Sequence, residues 1–207
     1  MAMSSPDIRI CFIGDSYVHG TGDDDCLGWV GRLCASARSA GHNLTAYNLG
    51  VRRESSTDIA RRWLTECKPR LRPGTENYVV FSFGANDVTQ VEGRQRVSED
   101  GTLDNLRALL DVASTRYHTL VVGSPPAADP EHNTRLSQLS ERMCEVTVQL
   151  GVPYVATFPI LIDDRTWLDE VRGNDGAHPR AAGYSRLARI VAASEAWWFR
   201  NNDPQTG

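Results

Sequence analysis

Five short runs rich in Val, Ile, Leu and aromatic residues, IRICFIG, LTAYNLG, NYVVFSFG, TLVVGS and VPYVAT, recur along the chain with amphipathic stretches between them. This alternation constrains the fold more than any other feature. Each run has the length of a strand, and strands with so little polar alternation need cover on both faces. The intervening segments carry apolar residues at helical spacing: Val30, Leu33, Cys34 and Ala37; Ala60, Trp63, Leu64 and Cys67; Leu106, Leu109, Leu110 and Ala113; Leu136, Leu139, Met143, Val146 and Leu150; Tyr184, Leu187, Ala188 and Val191. Right-handed strand-helix-strand crossovers turn such an order into a parallel sheet between two helical layers. The expectation is α/β, a three-layer α/β/α sandwich with a five-stranded parallel sheet. At 207 residues the chain suits one domain, with a core from about residue 8 to 200. The stretch SSPD near the start and the tail NNDPQTG read as flexible.

In open sheets of this kind functional groups collect beyond the carboxyl ends of the strands. Those ends read Gly14-Asp15-Ser16, Asn48-Leu49-Gly50, Gly84-Ala85-Asn86-Asp87 and Ser124-Pro125-Pro126, and the segment after the fifth run leads to Asp175-Gly176-Ala177-His178-Pro179. Three long connections, NDVTQVEGRQRVSEDG, SPPAADPEHN and FPILIDDRTWLDEVRGNDGAHP, leave from the same rim and are expected to shape a pocket.

A serine at a strand end is usually a turn or cap residue. Its partners change the reading. A hydroxyl becomes a nucleophile when an imidazole takes its proton, and the imidazole needs a carboxylate on its far nitrogen. Asp175 and His178 stand at a spacing a tight turn can close, and Pro179 disfavours helical backbone at His178. The stretch Asp129-Pro130-Glu131-His132 repeats that spacing, but there the sequence reads as a helix start, with an aspartate cap and Glu131 adding first-turn charge. His19, His42 and His118 lack an aspartate so placed. Acyl transfer also needs donors aimed at the developing oxyanion, for which the N–H groups of Ser16 and Gly50 and the Asn86 amide are candidates.

The segments Gly14-Asp15-Ser16, Asn48-Leu49-Gly50, Gly84-Ala85-Asn86-Asp87 and Asp175-Gly176-Ala177-His178 resemble, in order and interval, the four sequence blocks of the GDSL-type SGNH hydrolases. The resemblance spans roughly residues 8 to 195. It implies a flavodoxin-like SGNH hydrolase fold, with Ser16 as nucleophile, His178 as general base, Asp175 as its orienting partner, and Ser16, Gly50 and Asn86 as the oxyanion hole. It implies cleavage of an ester or thioester of a small to medium acyl group through an acyl-serine, with no cofactor or metal. Two residues depart from the family pattern: Arg53 stands where a second glycine is frequent, and Tyr17 replaces a smaller aliphatic residue. Asp87, which accompanies Asn86 in the family block, reads as structural support.

Around this set, Arg52 and Arg53 are candidates for binding a carboxylate or phosphate of the substrate, and Trp167 with Leu168 for lining the acyl pocket. Trp197, Trp198 and Phe199 read as packing residues. The nucleophile elbow of α/β-hydrolases is absent because Val18, not glycine, stands two residues after Ser16, and no Lys-Ser/Thr pair completes a P-loop. Two alternatives remain. One is a Mg²⁺-dependent phosphohydrolase using Asp15, Asp87 and Asp175, the other a noncatalytic binding module. In that context Asp23-Asp24-Asp25 reads as a solvated loop.

The balance of 22 Lys+Arg against 26 Asp+Glu, a net charge of −4, disfavours a nucleic-acid partner. No apolar stretch reaches the ~20 residues that span a bilayer, and the N-terminus lacks the pattern of a secretory signal, so a cytoplasmic location is expected. The five cysteines form no CxxC pair and read as reduced thiols, with Cys11, Cys34 and Cys67 on apolar faces. The sequence leaves the oligomeric state open.

Overall fold

A computed structural model describes residues 6–200 of the protein. The tail NNDPQTG and the first part of SSPD lie outside the described residues. In chain order the elements are β1 (Ile8–Gly14), α1 (Ser16–His19), α2 (Gly28–Ser39), β2 (Leu44–Gly50), α3 (Ser56–Cys67), β3 (Glu76–Ser82), β4 (Gln90–Val91), β5 (Arg94–Gln95), α4 (Glu99–Ala113), β6 (His118–Val122), α5 (Pro130–Gln149), β7 (Tyr154–Val155), α6 (Phe158–Leu161), α7 (Arg165–Arg172) and α8 (Ala181–Ala193).

All five apolar runs form strands of one parallel sheet, ordered β2-β1-β3-β6-β7. Helices α2, α7 and α8 pack together, as do α3, α4 and α5, giving the expected helical layers. The sheet's centre is wholly apolar: Ile10, Phe12, Ile13, Val79, Val80, Phe81, Leu120 and Val121 have no exposed surface. That dryness explains why these strands show no alternation. Connections depart in opposite directions from β1, toward β2 and toward β3, so the switch point of the sheet lies at the carboxyl ends of β1 and β3.

Some local expectations shift. Ile59, rather than Ala60 or Leu64, is the fully buried residue in that turn of α3, and Leu150 at the end of α5 is 39% exposed. The connection after Asp87 holds a small antiparallel hairpin, β4 with β5, whose turn residues Glu92 and Gly93 have φ of 51° and 76°. Asp23 is buried rather than solvated. It accepts from the N–H groups of Gly28 (2.7 Å), Leu27 (3.1 Å) and Asp25 (3.2 Å) and pairs with Arg32. Trp197 and Phe199 are buried beside Phe12, Tyr78 and His42, as packing residues would be. Cys11, Cys34 and Cys67 are buried, and all five cysteines are free thiols.

Candidate active site

Ser16 opens α1 at the tip of β1, where Asp15 turns the chain by accepting a hydrogen bond from the Tyr17 N–H at 2.9 Å. As the first residue of a helix, Ser16 has an N–H with no intrahelical acceptor, so a hydroxyl and a backbone donor occupy one position. The imidazole comes from the far end of the chain. Gly176, at φ 81°, makes a turn tight enough for Asp175 Oδ1 to accept from the N–H groups of Ala177 (3.0 Å) and His178 (2.8 Å). Asp175 Oδ2 then meets His178 Nδ1 at 2.7 Å, and His178 Nε2 lies 2.7 Å from Ser16 Oγ. Burial pushes the Asp175 carboxyl up, but the hydrogen bonds from the His178 N–H, the His178 ring and the Ala177 N–H outweigh it and hold it at about 2.

Several contacts fix this arrangement. Helix α8 begins beyond Pro179, and Glu170 of α7 accepts from the N–H groups of Arg180 (2.9 Å), Ala182 (3.2 Å) and Gly183 (2.7 Å), anchoring the chain just past His178. The Tyr17 hydroxyl donates to Ala177 O at 2.8 Å, and its ring lies 5.1 Å from the His178 ring. Tyr17 thus ties the serine segment to the histidine turn. A smaller aliphatic residue could not make this bond.

Asn86 approaches from the end of β3, and its Nδ2 donates to Glu54 O at 3.0 Å and to Asp15 Oδ2 at 3.3 Å. Burial pushes the Asp15 carboxyl up to about 7. Asp87 is wholly buried and accepts from the Ser56 N–H (3.1 Å), the Ser56 hydroxyl and Thr102 Oγ1 (3.0 Å). It therefore joins α3 and α4 to the loop. Asp15, Asp87 and Asp175 serve three separate tasks, and among the described residues no group of three or more His, Cys, Asp or Glu could hold a metal ion. The Mg²⁺ arrangement is not formed.

Gly50 sits elsewhere than expected. Its N–H donates to Asn48 Oδ1 at 3.0 Å, and a Cβ there would meet the His19 backbone nitrogen at 2.2 Å. The missing side chain admits α1, and Gly50 does not line the cavity at Ser16. Arg53, in the position of the family's second glycine, keeps a left-handed backbone at φ 71°. Arg52 and Arg53 are exposed and line no part of that cavity, although Arg52 Nη2 comes within 4.0 Å of Asp175 Oδ2. Trp167 has no exposed surface. It donates to Pro126 O at 2.8 Å and backs Tyr17 at 6.2 Å, so it supports the site from behind and does not line a pocket.

The cavity above Ser16 is about 520 Å³ and is walled by all three long connections. Thr89 comes from the first, Ala127, Ala128, Asp129 and His132 from the second and Asp175 to His178 from the third. His132 went unrecognised in the sequence as a cavity residue, and the repeated Asp-x-x-His spacing was the one available signal. A neighbouring opening of about 580 Å³ shares Ala127 and Ala128 and is lined by Leu168 and Arg172 among others.

A family model described as the GDSL-like Lipase/Acylhydrolase family matches residues 12–186. No curated protein matches the chain. Among solved structures, Axe2, an acetylxylan esterase from Geobacillus stearothermophilus, superposes with a TM-score of 0.71 at 19% identity, covering 92% of this chain and 94% of its own. A protein called TesA reaches 0.68 at 23% identity, with 88% and 95% covered. LAE5, an alpha/beta hydrolase enzyme from the metagenome of Lake Arreo, Spain, reaches 0.70 at 19% identity, with 91% and 94% covered. These likenesses establish the fold.

Proposed function

Because the chain belongs to the GDSL-like lipase/acylhydrolase family and is a carboxylic ester hydrolase, we propose that it cleaves esters or thioesters of small to medium acyl groups through an acyl-serine at Ser16. The observation that supports this reading is the continuous relay from Ser16 Oγ through His178 to Asp175, with both contacts at 2.7 Å. Ser16 Oγ attacks the acyl carbon while His178 Nε2 takes the hydroxyl proton, and ionised Asp175 steadies the imidazolium. Negative charge grows on the carbonyl oxygen, where the Ser16 N–H and the Asn86 amide receive it. The long Asn86 contact to Asp15 is the one that the oxyanion replaces. Collapse expels the alcohol or thiol, which carries away the proton held by His178. Water, deprotonated by His178, then attacks the acyl-serine, and a second collapse releases the acid and restores the hydroxyl.

The named activity of Axe2 accords with this reaction type. A panel of p-nitrophenyl esters and thioesters of increasing chain length, run on wild type and Ser16→Ala, tests the proposal. Turnover should fall on the order of 10⁶-fold in the variant if the triad acts as a unit. Retention of activity in Ser16→Ala would overturn it.

A further inference from the structure

The peptide unit between Ala177 and His178 is held at both edges. Its N–H donates to Asp175 Oδ1 at 2.8 Å, and its carbonyl oxygen accepts from the Tyr17 hydroxyl at 2.8 Å. A peptide unit is planar, so bonds on opposite edges fix how the plane is turned, and with it the direction in which the His178 side chain leaves the backbone. The carbonyl on the far side of His178 is tied as well, by Asn174 Nδ2 at 3.0 Å.

Tyr17 itself has little room to move. Its N–H is bound to Asp15 Oδ1 at 2.9 Å, and its ring meets His178 at 5.1 Å and Trp167 at 6.2 Å. Trp167 is fixed in turn by its bond to Pro126 O at 2.8 Å and by an edge contact at 6.3 Å with Tyr184, whose hydroxyl donates to Thr21 O at 2.7 Å. Tyr17 borders the cavity, yet only 4% of it is exposed, so the residue faces protein far more than substrate. Burial, with Asp15 and Asp175 nearby, pushes the phenol above its ordinary value, so the hydroxyl keeps its proton and goes on donating across the neutral range.

We propose that Tyr17 is a positioning residue for the reaction: its hydroxyl locks the Ala177–His178 peptide plane and its ring backs the imidazole, so that Nε2 stays aimed at Ser16 Oγ while the proton passes between them. This rests on the serine-hydrolase reading above. The smaller aliphatic residue that Tyr17 replaces would supply neither contact. His178 serves both formation and hydrolysis of the acyl-serine, so misaligning it slows both steps. The effect therefore belongs to kcat and leaves KM nearly unchanged.

Steady-state kinetics on a p-nitrophenyl ester test this in Tyr17→Phe, which removes the hydroxyl alone, and Tyr17→Leu, which removes the ring as well. Tyr17→Phe should lower kcat roughly tenfold, the scale of one hydrogen bond, and Tyr17→Leu roughly 10²-fold. Because the hydroxyl and Asp175 grip one peptide unit, the Tyr17→Phe loss should shrink to less than about twofold where Asp175→Asn is already present. A hydroxyl that merely stabilised the fold would cost the same in both backgrounds. Wild-type kcat in Tyr17→Phe, a loss carried by KM, or a loss undiminished beside Asp175→Asn would overturn the proposal. Fluorophosphonate labelling of Ser16, followed in parallel, separates the two readings. A labelled wild type matched in rate by Tyr17→Phe sinks only the role of Tyr17, whereas an unlabelled wild type sinks the serine mechanism beneath it.

Discussion

Two stretches of this chain, Asp129 to His132 and Asp175 to His178, share the same residue pair at the same spacing and face the same cavity. Their geometry differs completely. In the second, Gly176 at φ 81° folds a turn that brings one carboxylate oxygen onto backbone N–H groups and the other onto the imidazole. In the first, Pro130 begins a helix, and the carboxylate accepts the Glu131 N–H as a cap. Spacing alone does not make an Asp-His couple. The backbone between the two residues decides whether the carboxylate orients the ring or starts a helix.

The largest expected effect separates the two histidines. His178→Ala should lower turnover on the order of 10⁶-fold, since Ser16 loses its base. If His132→Ala caused a loss of that size and His178→Ala did not, the comparison would be reversed. Asp175→Asn should cost about 10⁴-fold, because an amide favours the wrong tautomer of His178. The same change at Asp129 leaves the Asp175–His178 hydrogen bond untouched, so steady-state kinetics of both variants measure the contrast directly.

A third carboxylate extends the comparison to stability. Asp175 is held at about 2 by its donors, whereas burial raises Asp15 to about 7. For a carboxyl raised in the folded state, the unfolded chain loses its proton near ~3.9 and the folded chain only near 7, so stability declines as pH rises between those values. Asp15→Asn removes that titration but sets an amide NH2 against Asn86 Nδ2, so the readout is the slope: in thermal melts the wild type's Tm should fall between about pH 4 and 7 and the variant's should not. For Asp175 the sign is opposite: its contribution is present above the unfolded value and is lost as pH falls through about 2. The smallest effect belongs to the cap. Asp129→Ala should cost about 1 kcal/mol in denaturant unfolding. A cost near zero would show that the carboxylate is not needed for the helix start.

The sequence made the sheet legible because its central strands are dry on both faces, and a dry strand at a rim leaves its terminal polar residues conspicuous. Ser16 and Asn86 could be located that way, and His178 by the Asp175 that stands three residues before it. Gly50 could not, since a glycine that admits a neighbouring helix looks the same in sequence as one that exposes an N–H to a ligand; only the His19 backbone beside it distinguishes them. Periodicity fixes which residues share a helix face but not how that face is turned toward a loop. For that reason Trp167 could not be assigned to the core, nor His132 to the cavity. The hairpin of β4 and β5 was hidden by its two-residue strands. Arg53 adopts a left-handed conformation that its residue type disfavours, so its own preference gave no signal of the turn.

The central claim is that Ser16 is activated by His178 and not by the other histidine of the cavity. Fluorophosphonate labelling, with the modified residue located by mass spectrometry and its rate followed in wild type, His178→Ala and His132→Ala, tests it most directly. The account predicts modification at Ser16 in wild type and a rate reduced roughly 10²–10⁴-fold in His178→Ala, far more than in His132→Ala. An unmodified Ser16 in wild type, or a rate that collapses with His132 and survives without His178, would contradict it.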